Sequence, residues 1–248
     1  MAARGGSAAR KTMLSPLGIL LCCLPVSAFA LGTWQVRRRT WKLNLIDELD
    51  EKLQRPPMRL PQQIKFEAIP EFSYRRVIVR GKFDHSREIL VGPKAKEGHG
   101  GYDVYTPLCR SDGGPPILVN RGFVNLAHKD KSKRPDSQSN EEVFITGFLR
   151  SQPVKNYFTP ENRPDNNEWV FPDIEQLAKK TNSAPVLVDQ IFMGDEYEIQ
   201  SSIAQGTPVG RPPVVELRNM HATYAVTWYT LSLATTAMLF GLRRSIVR

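Results

Sequence analysis

The sequence predicts an α+β membrane protein in which two transmembrane helices flank a β-rich soluble domain, an antiparallel sheet or small barrel. Three observations carry that expectation. Two runs without a charged residue, 12–36 and 219–242, stand toward the two ends of the 248-residue chain. Between them, short apolar runs alternate with turn signals. All 25 acidic residues lie in 43–217, although the whole chain carries a formal charge of +9.

Residues 1–11 form a short basic leader, free of acids and rich in Ser and Ala, of the kind that directs proteins to the mitochondrial matrix, though brief for one. The run 12–36 follows as transmembrane helix 1. At about 1.5 Å per residue it reaches roughly 36 Å, more than a hydrocarbon core of about 30 Å requires. A competing reading is a cleaved signal, since Arg10 and Lys11 precede the apolar stretch and Pro25 leads into Ala28-Phe29-Ala30.

Residues 37–54 continue as a helical extension, with Arg37, Arg38 and Arg39 anchoring at the membrane boundary and Trp41, Leu45 and Leu49 keeping helical spacing until Pro56 and Pro57. The β-rich domain spans 55–217. Its strands are read at VIVRGKF (77–83), EILVG (88–92), DVYTPL (103–108), ILVNRGFV (117–124), EVFITGFL (142–149) and PVLVDQ (185–190). Gly98-His99-Gly100-Gly101 and the run 112–116 read as tight connections, and 128–140 as a polar loop without core-forming residues. One helix interrupts, capped by Asp173, turning Ile174, Leu177 and Ala178 inward and ending near Asn182. Transmembrane helix 2 covers 219–242, and 243–248 is a basic tail.

The charge distribution removes nucleic acid as a partner. Acids slightly outnumber bases within 43–217, so the positive excess belongs to the flanks of the two runs, where membrane lipid headgroups attract it. The basic residues divide too evenly between the two sides of the runs to orient the chain. Cys22, Cys23 and Cys109 make no disulfide framework, and no CxxC, HExxH, GxSxG, P-loop or GxGxxG pattern marks a catalytic centre. The expectation is a protein that is not an enzyme.

Of the four histidines, His85, His99 and His128 fall in turns or loops, whereas His221 opens the second uncharged run. An interfacial histidine and a haem iron ligand are both open there; no other metal role is expected. Arg218, His221, Tyr224, Ala225 and Trp228 share a helical face, which lets Arg218 meet a propionate while Tyr224 and Trp228 pack on the ring. The same stripe serves equally well for packing on the first helix, where Ala225, Ser232 and Thr235 permit close approach. Gly122 marks a bulge or close backbone approach, and Asn120, Arg121 and Gly122 form a candidate interaction patch.

Several segments together resemble one family, the Surfeit-locus assembly factors for cytochrome c oxidase, known in fungi as Shy proteins. They are LGTWQVRRRTWKLNLI (31–46), VGPK (91–94), GYDVYTPL (101–108), ILVNRGFV (117–124) and RNMHATYAVTWYTLS (218–232), in order and at the family's spacing. The resemblance implies a mitochondrial inner-membrane protein with both termini in the matrix and the β-rich domain in the intermembrane space. It implies a role in complex IV biogenesis around haem a insertion into the catalytic subunit, with that subunit and other assembly factors as partners. It places the haem a ligand of some bacterial relatives at His221. A scaffold that works by protein contacts alone, without haem, is the alternative.

Overall fold

The computed structural model describes residues 16–213 and 219–247. Its elements are α1 (Pro16–Gln54), β1 (Met58–Arg59), β2 (Arg76–Phe83), β3 (Ile89–Lys96), β4 (His99–Arg110), β5 (Ile117–Asn125), β6 (Val143–Arg150), α2 (Ile174–Thr181), β7 (Ala184–Gln190), α3 (Glu196–Gln205) and α4 (His221–Val247). The chain divides into two compact units, Met1–Glu48 with Glu216–Arg248, and Leu49–Val215.

The first unit pairs α1 with α4. Small residues let the helices meet: Ala28, Ala225 and Ser232 are buried, and a Cβ on Gly32 would lie 2.8 Å from the Tyr229 ring. Ser232 Oγ donates to Pro25 O at 2.8 Å, and the Thr33 and Tyr229 hydroxyls lie 3.2 Å apart.

Among the described residues no helix is long and apolar enough to cross a membrane. This overturns the expectation of transmembrane helices at 12–36 and 219–242, and removes the basis for placing termini and central domain on opposite sides of a bilayer. Residues 12–15 of the first run, the leader before them and Arg248 lie outside the described residues. The physical reason is that lacking charge is not the same as being apolar. Pro25, Ser27, Gly32, Thr33 and Gln35 dilute α1 before Arg37. Hydroxyls recur along α4, where Thr227, Thr235 and Thr236 donate to carbonyls one turn back.

The second unit is a closed barrel. Neighbouring strands run β2–β6–β7–β5–β4, and β4 pairs back onto β2. β1 adds parallel to β2 and β3 adds antiparallel to β4 outside the ring. Alternation along the strands sends Val77, Val79, Val119, Ile145, Leu149, Val186 and Val188 inward as one core. A second core lies outside the ring, where Ile89, Tyr105, Leu118 and Leu187 meet Trp169, Ile174 and Leu177. α2 covers it because Asp173 accepts from Gln176 N at the start and Asn182 takes a left-handed conformation (φ 50°) at the end.

The β4–β5 ladder steps from Val104↔Gly122 to Tyr105↔Asn120, so Arg121 sits in a bulge. Gly122 has φ +109°, and a Cβ there would lie 2.0 Å from Val209 O. The bare backbone lets Phe123 and Val209 exchange two 2.9 Å hydrogen bonds. α3, absent from the sequence reading, opens with a capping box between Asp195 and Glu198 and closes at Gly206 (φ 74°).

The β5–β6 loop also departs from expectation. Arg134, at 1 % exposure, is its anchor. Its guanidinium meets both Glu88 carboxylate oxygens and donates to His128 O at 3.0 Å. Neither side chain of the pair has any exposed surface. Removing one partner from a buried pair leaves the other's charge uncompensated, so Arg134→Met is expected to destabilise the chain by about 3–5 kcal/mol, read as a lower urea midpoint. Adding Glu88→Leu recovers part of that loss.

Candidate functional site

His221 is the first residue of α4. Its backbone N–H faces Asn219 Oδ1 at 3.4 Å, and its ring Nδ1 lies 2.6 Å from Gln35 Oε1. An amide oxygen only accepts, so Nδ1 is the donor in this contact, and of the two neutral tautomers the one protonated there leaves Nε2 a lone pair. Metal-binding imidazoles are oriented in this way, one nitrogen held by a carbonyl and the other presented to the metal.

Tyr224 is exposed and Trp228 half-buried, three and seven residues along the same helix. The donor chemistry and the two accessible rings fit a haem ligated through Nε2. Arg218, expected to steady a propionate, lies outside the described residues. Among the described residues no group of three or more His, Cys, Asp or Glu is arranged to hold a metal ion.

Asn120, Arg121 and Gly122 are turned to internal use. Asn120 donates to Asp189 Oδ1 at 2.9 Å and accepts from Gly122 N at 3.0 Å. Asp189, almost fully buried, also receives Arg211 at 2.8 Å and Arg150 at 3.3 Å. One carboxylate thus ties β5, β6, β7 and the segment after α3.

Arg121 enters the Glu88–Arg134 network instead. It donates to Ser137 O at 2.7 Å, lies over the Phe83 ring at 4.7 Å and reaches 4.0 Å from Glu88. Burial pulls its pKa down to about 10, against the opposing charge of Glu88. His85 completes the cluster, its Nε2 3.0 Å from Ser139 O and its Nδ1 3.5 Å from Arg121. The carbonyl can only accept, so Nε2 is the donor and Nδ1 receives the arginine.

Gln35, Glu88, Arg134 and Asp189 were not singled out from the sequence. Gln35 stands within the LGTWQVRRRTWK segment; the other three have no short-range pattern, because Glu88 meets Arg134 from 46 positions away and Asp189 meets Asn120 from 69.

A family model described as "SURF1 family" matches residues 23–233. Surfeit locus protein 1 of Homo sapiens is 39% identical over 236 residues, covering 89% of this chain and 75% of the human protein. Surfeit locus protein 1 of Takifugu rubripes is 36% identical, covering 89% of this chain and 94% of its own. The SURF1-like protein of Drosophila melanogaster is 32% identical, covering 96% and 80%.

The cluster around His85 gives a pH prediction. Burial lowers its pKa below 6.5, with Arg121 and Lys131 adding to the shift and the Ser139 carbonyl and Glu88 opposing it. Below 6.5 the unfolded chain binds a proton that the folded chain refuses, so stability is complete above 6.5 and falls as pH drops toward the folded value. His85→Gln keeps a donor and an acceptor but cannot titrate. Urea midpoints of this variant are expected to be flatter than wild type between pH 6.5 and the carboxylate range.

Proposed function

The chain belongs to the SURF1 family, which implies a role in cytochrome c oxidase assembly, and we propose that within that role it holds haem a transiently at His221 during early maturation of the catalytic subunit. On this reading it acts as a mitochondrial assembly factor and not as an enzyme. The observation that carries the haem reading is the 2.6 Å contact between His221 Nδ1 and Gln35 Oε1, which selects the tautomer with a free Nε2. A bound haem would supply an iron able to take a nitrogen donor from the protein. His221 provides the nitrogen, Gln35 keeps the ring from turning, and Tyr224 and Trp228 lie along the flank that the macrocycle would cover. A single protein ligand at a helix start suits a hold that must end in release.

One observation favours the scaffold reading. On the barrel unit Val154, Tyr157 and Phe158 are 95%, 93% and 85% exposed. Their loop is tied at both ends, by Gln152 accepting from Ile174 N and by Asn162 accepting from Val170 N and Phe171 N. An apolar tip on a fixed base suits a contact with an oxidase assembly intermediate.

Protein purified from cells that make haem a is expected to show a Soret band that His221→Ala abolishes. A band unchanged in that variant overturns ligation by His221. Copurification of oxidase subunits that survives His221→Ala but is lost on Tyr157→Ser/Phe158→Ser is the result expected of the scaffold.

A further inference from the structure

The barrel unit contains a cleft of about 430 Å³ whose lining includes Leu90, Tyr102, Trp169 and Val170 together with Lys129 and Lys131. We propose that this cleft is a binding site for a compact amphipathic carboxylate, its apolar body against those four residues and its charge between the two lysines.

Two segments build its walls. The β5–β6 loop is held by the buried Arg134–Glu88 pair and carries the lysines. The segment before α2 is fixed on β3, where Gly92 N donates to Trp169 O at 2.8 Å and Val91 bridges Trp169. Trp169 itself is locked, its Nε1 donating to Asn167 Oδ1 at 3.0 Å. Gly92 lets the Tyr102 ring close in, since a Cβ there would lie 2.8 Å from Tyr102 Cδ1. The apolar surface is therefore preformed, and the volume is within the range of small-molecule sites.

The charge of the ligand follows from who is already paired. Of the carboxylates lining the cleft, Glu88 is taken by Arg134 and Glu168 faces Arg163 at 3.4 Å. The ammonium groups have no such partner among the described residues: Lys131 Nζ donates to His85 O at 2.5 Å, and Lys129 Nζ lies 4.9 Å from the Tyr102 ring centre. Two cations beside a preformed apolar surface select an anion that carries an apolar body, and a carboxylate is the simplest acceptor for ammonium donors that such a body bears. This site owes nothing to His221.

The test uses the full chain with 3-phenylpropionate, its neutral amide 3-phenylpropanamide, and inorganic phosphate, followed by chemical shifts of the Trp169 indole N–H and the Gly92 amide. The carboxylate is expected to give saturable shifts at both, with the amide about tenfold weaker, the size of one lost charge-assisted contact. Lys129→Gln/Lys131→Gln is expected to reduce the carboxylate to the affinity of the amide. Lys129→Gln alone, a change at an exposed side chain, is expected to give part of that loss without disturbing Lys131. No saturable shift, equal binding of carboxylate and amide, unchanged binding in the lysine variants, or phosphate binding as tightly as 3-phenylpropionate each overturns the proposal.

Discussion

Closure of the barrel is the constraint on which the central unit depends. β2 pairs with β6 from Arg76 to Gly81, then turns to β4 through Gly81↔Arg110, Lys82↔Cys109 and Phe83↔Leu108. The handover happens at Gly81 because Cys109 O lies 2.3 Å from the place a Cβ would occupy. No side chain fits there. Without the short ladder the strands would form an open sheet, and the valines now enclosed would face solvent. With it, the valines close into one apolar core, and the polar anchors of the loops gather on buried groups of their own.

Those anchors are two buried carboxylates. Glu88 collects Arg134, Arg121 and Thr106 and pins the β5–β6 loop. Asp189 collects Arg150, Arg211 and Asn120 and pins the segment that follows α3. Burial of charge costs about as much as the pairing returns, so such clusters contribute geometry more than stability. The loops they hold are long and polar, and without a fixed point they would have little reason to adopt one arrangement. The Lys129 ammonium stays beside the Tyr102 ring and that of Lys131 on His85 O because Arg134, a few residues on, is held by Glu88.

What was legible in the sequence divides along the range of the interactions. Periodicity located the cores of the six main strands, and local capping chemistry located α2 from Asp173 to Asn182, since both signals sit within a few residues. α3 has an equally local signal in Asp195 and Glu198. The polar stretch 128–140 reads as a loop without a core because an arginine is a core residue only if a distant glutamate meets it. The two uncharged runs read as membrane spans for a different reason. Charge is counted residue by residue, but crossing a bilayer depends on the summed transfer cost of hydroxyls, glutamine and glycine as well. Arg218 lies outside the described residues, whereas His221 acquires meaning only through Gln35, which is adjacent to it in space and 186 positions away in the chain.

That last pair also shows why a single histidine can be informative without a surrounding cluster of ligands. An imidazole free to rotate offers either nitrogen, and its chemistry is undetermined. Gln35 removes the freedom: its carbonyl oxygen can only accept, so it fixes both the tautomer and the ring plane at the start of α4. The small residues that bring α1 and α4 together are what place Gln35 within reach. Packing on the first helix and the proposed ligation at His221 are therefore compatible uses of one helical stripe, because the packing places Gln35 where it orients the ring.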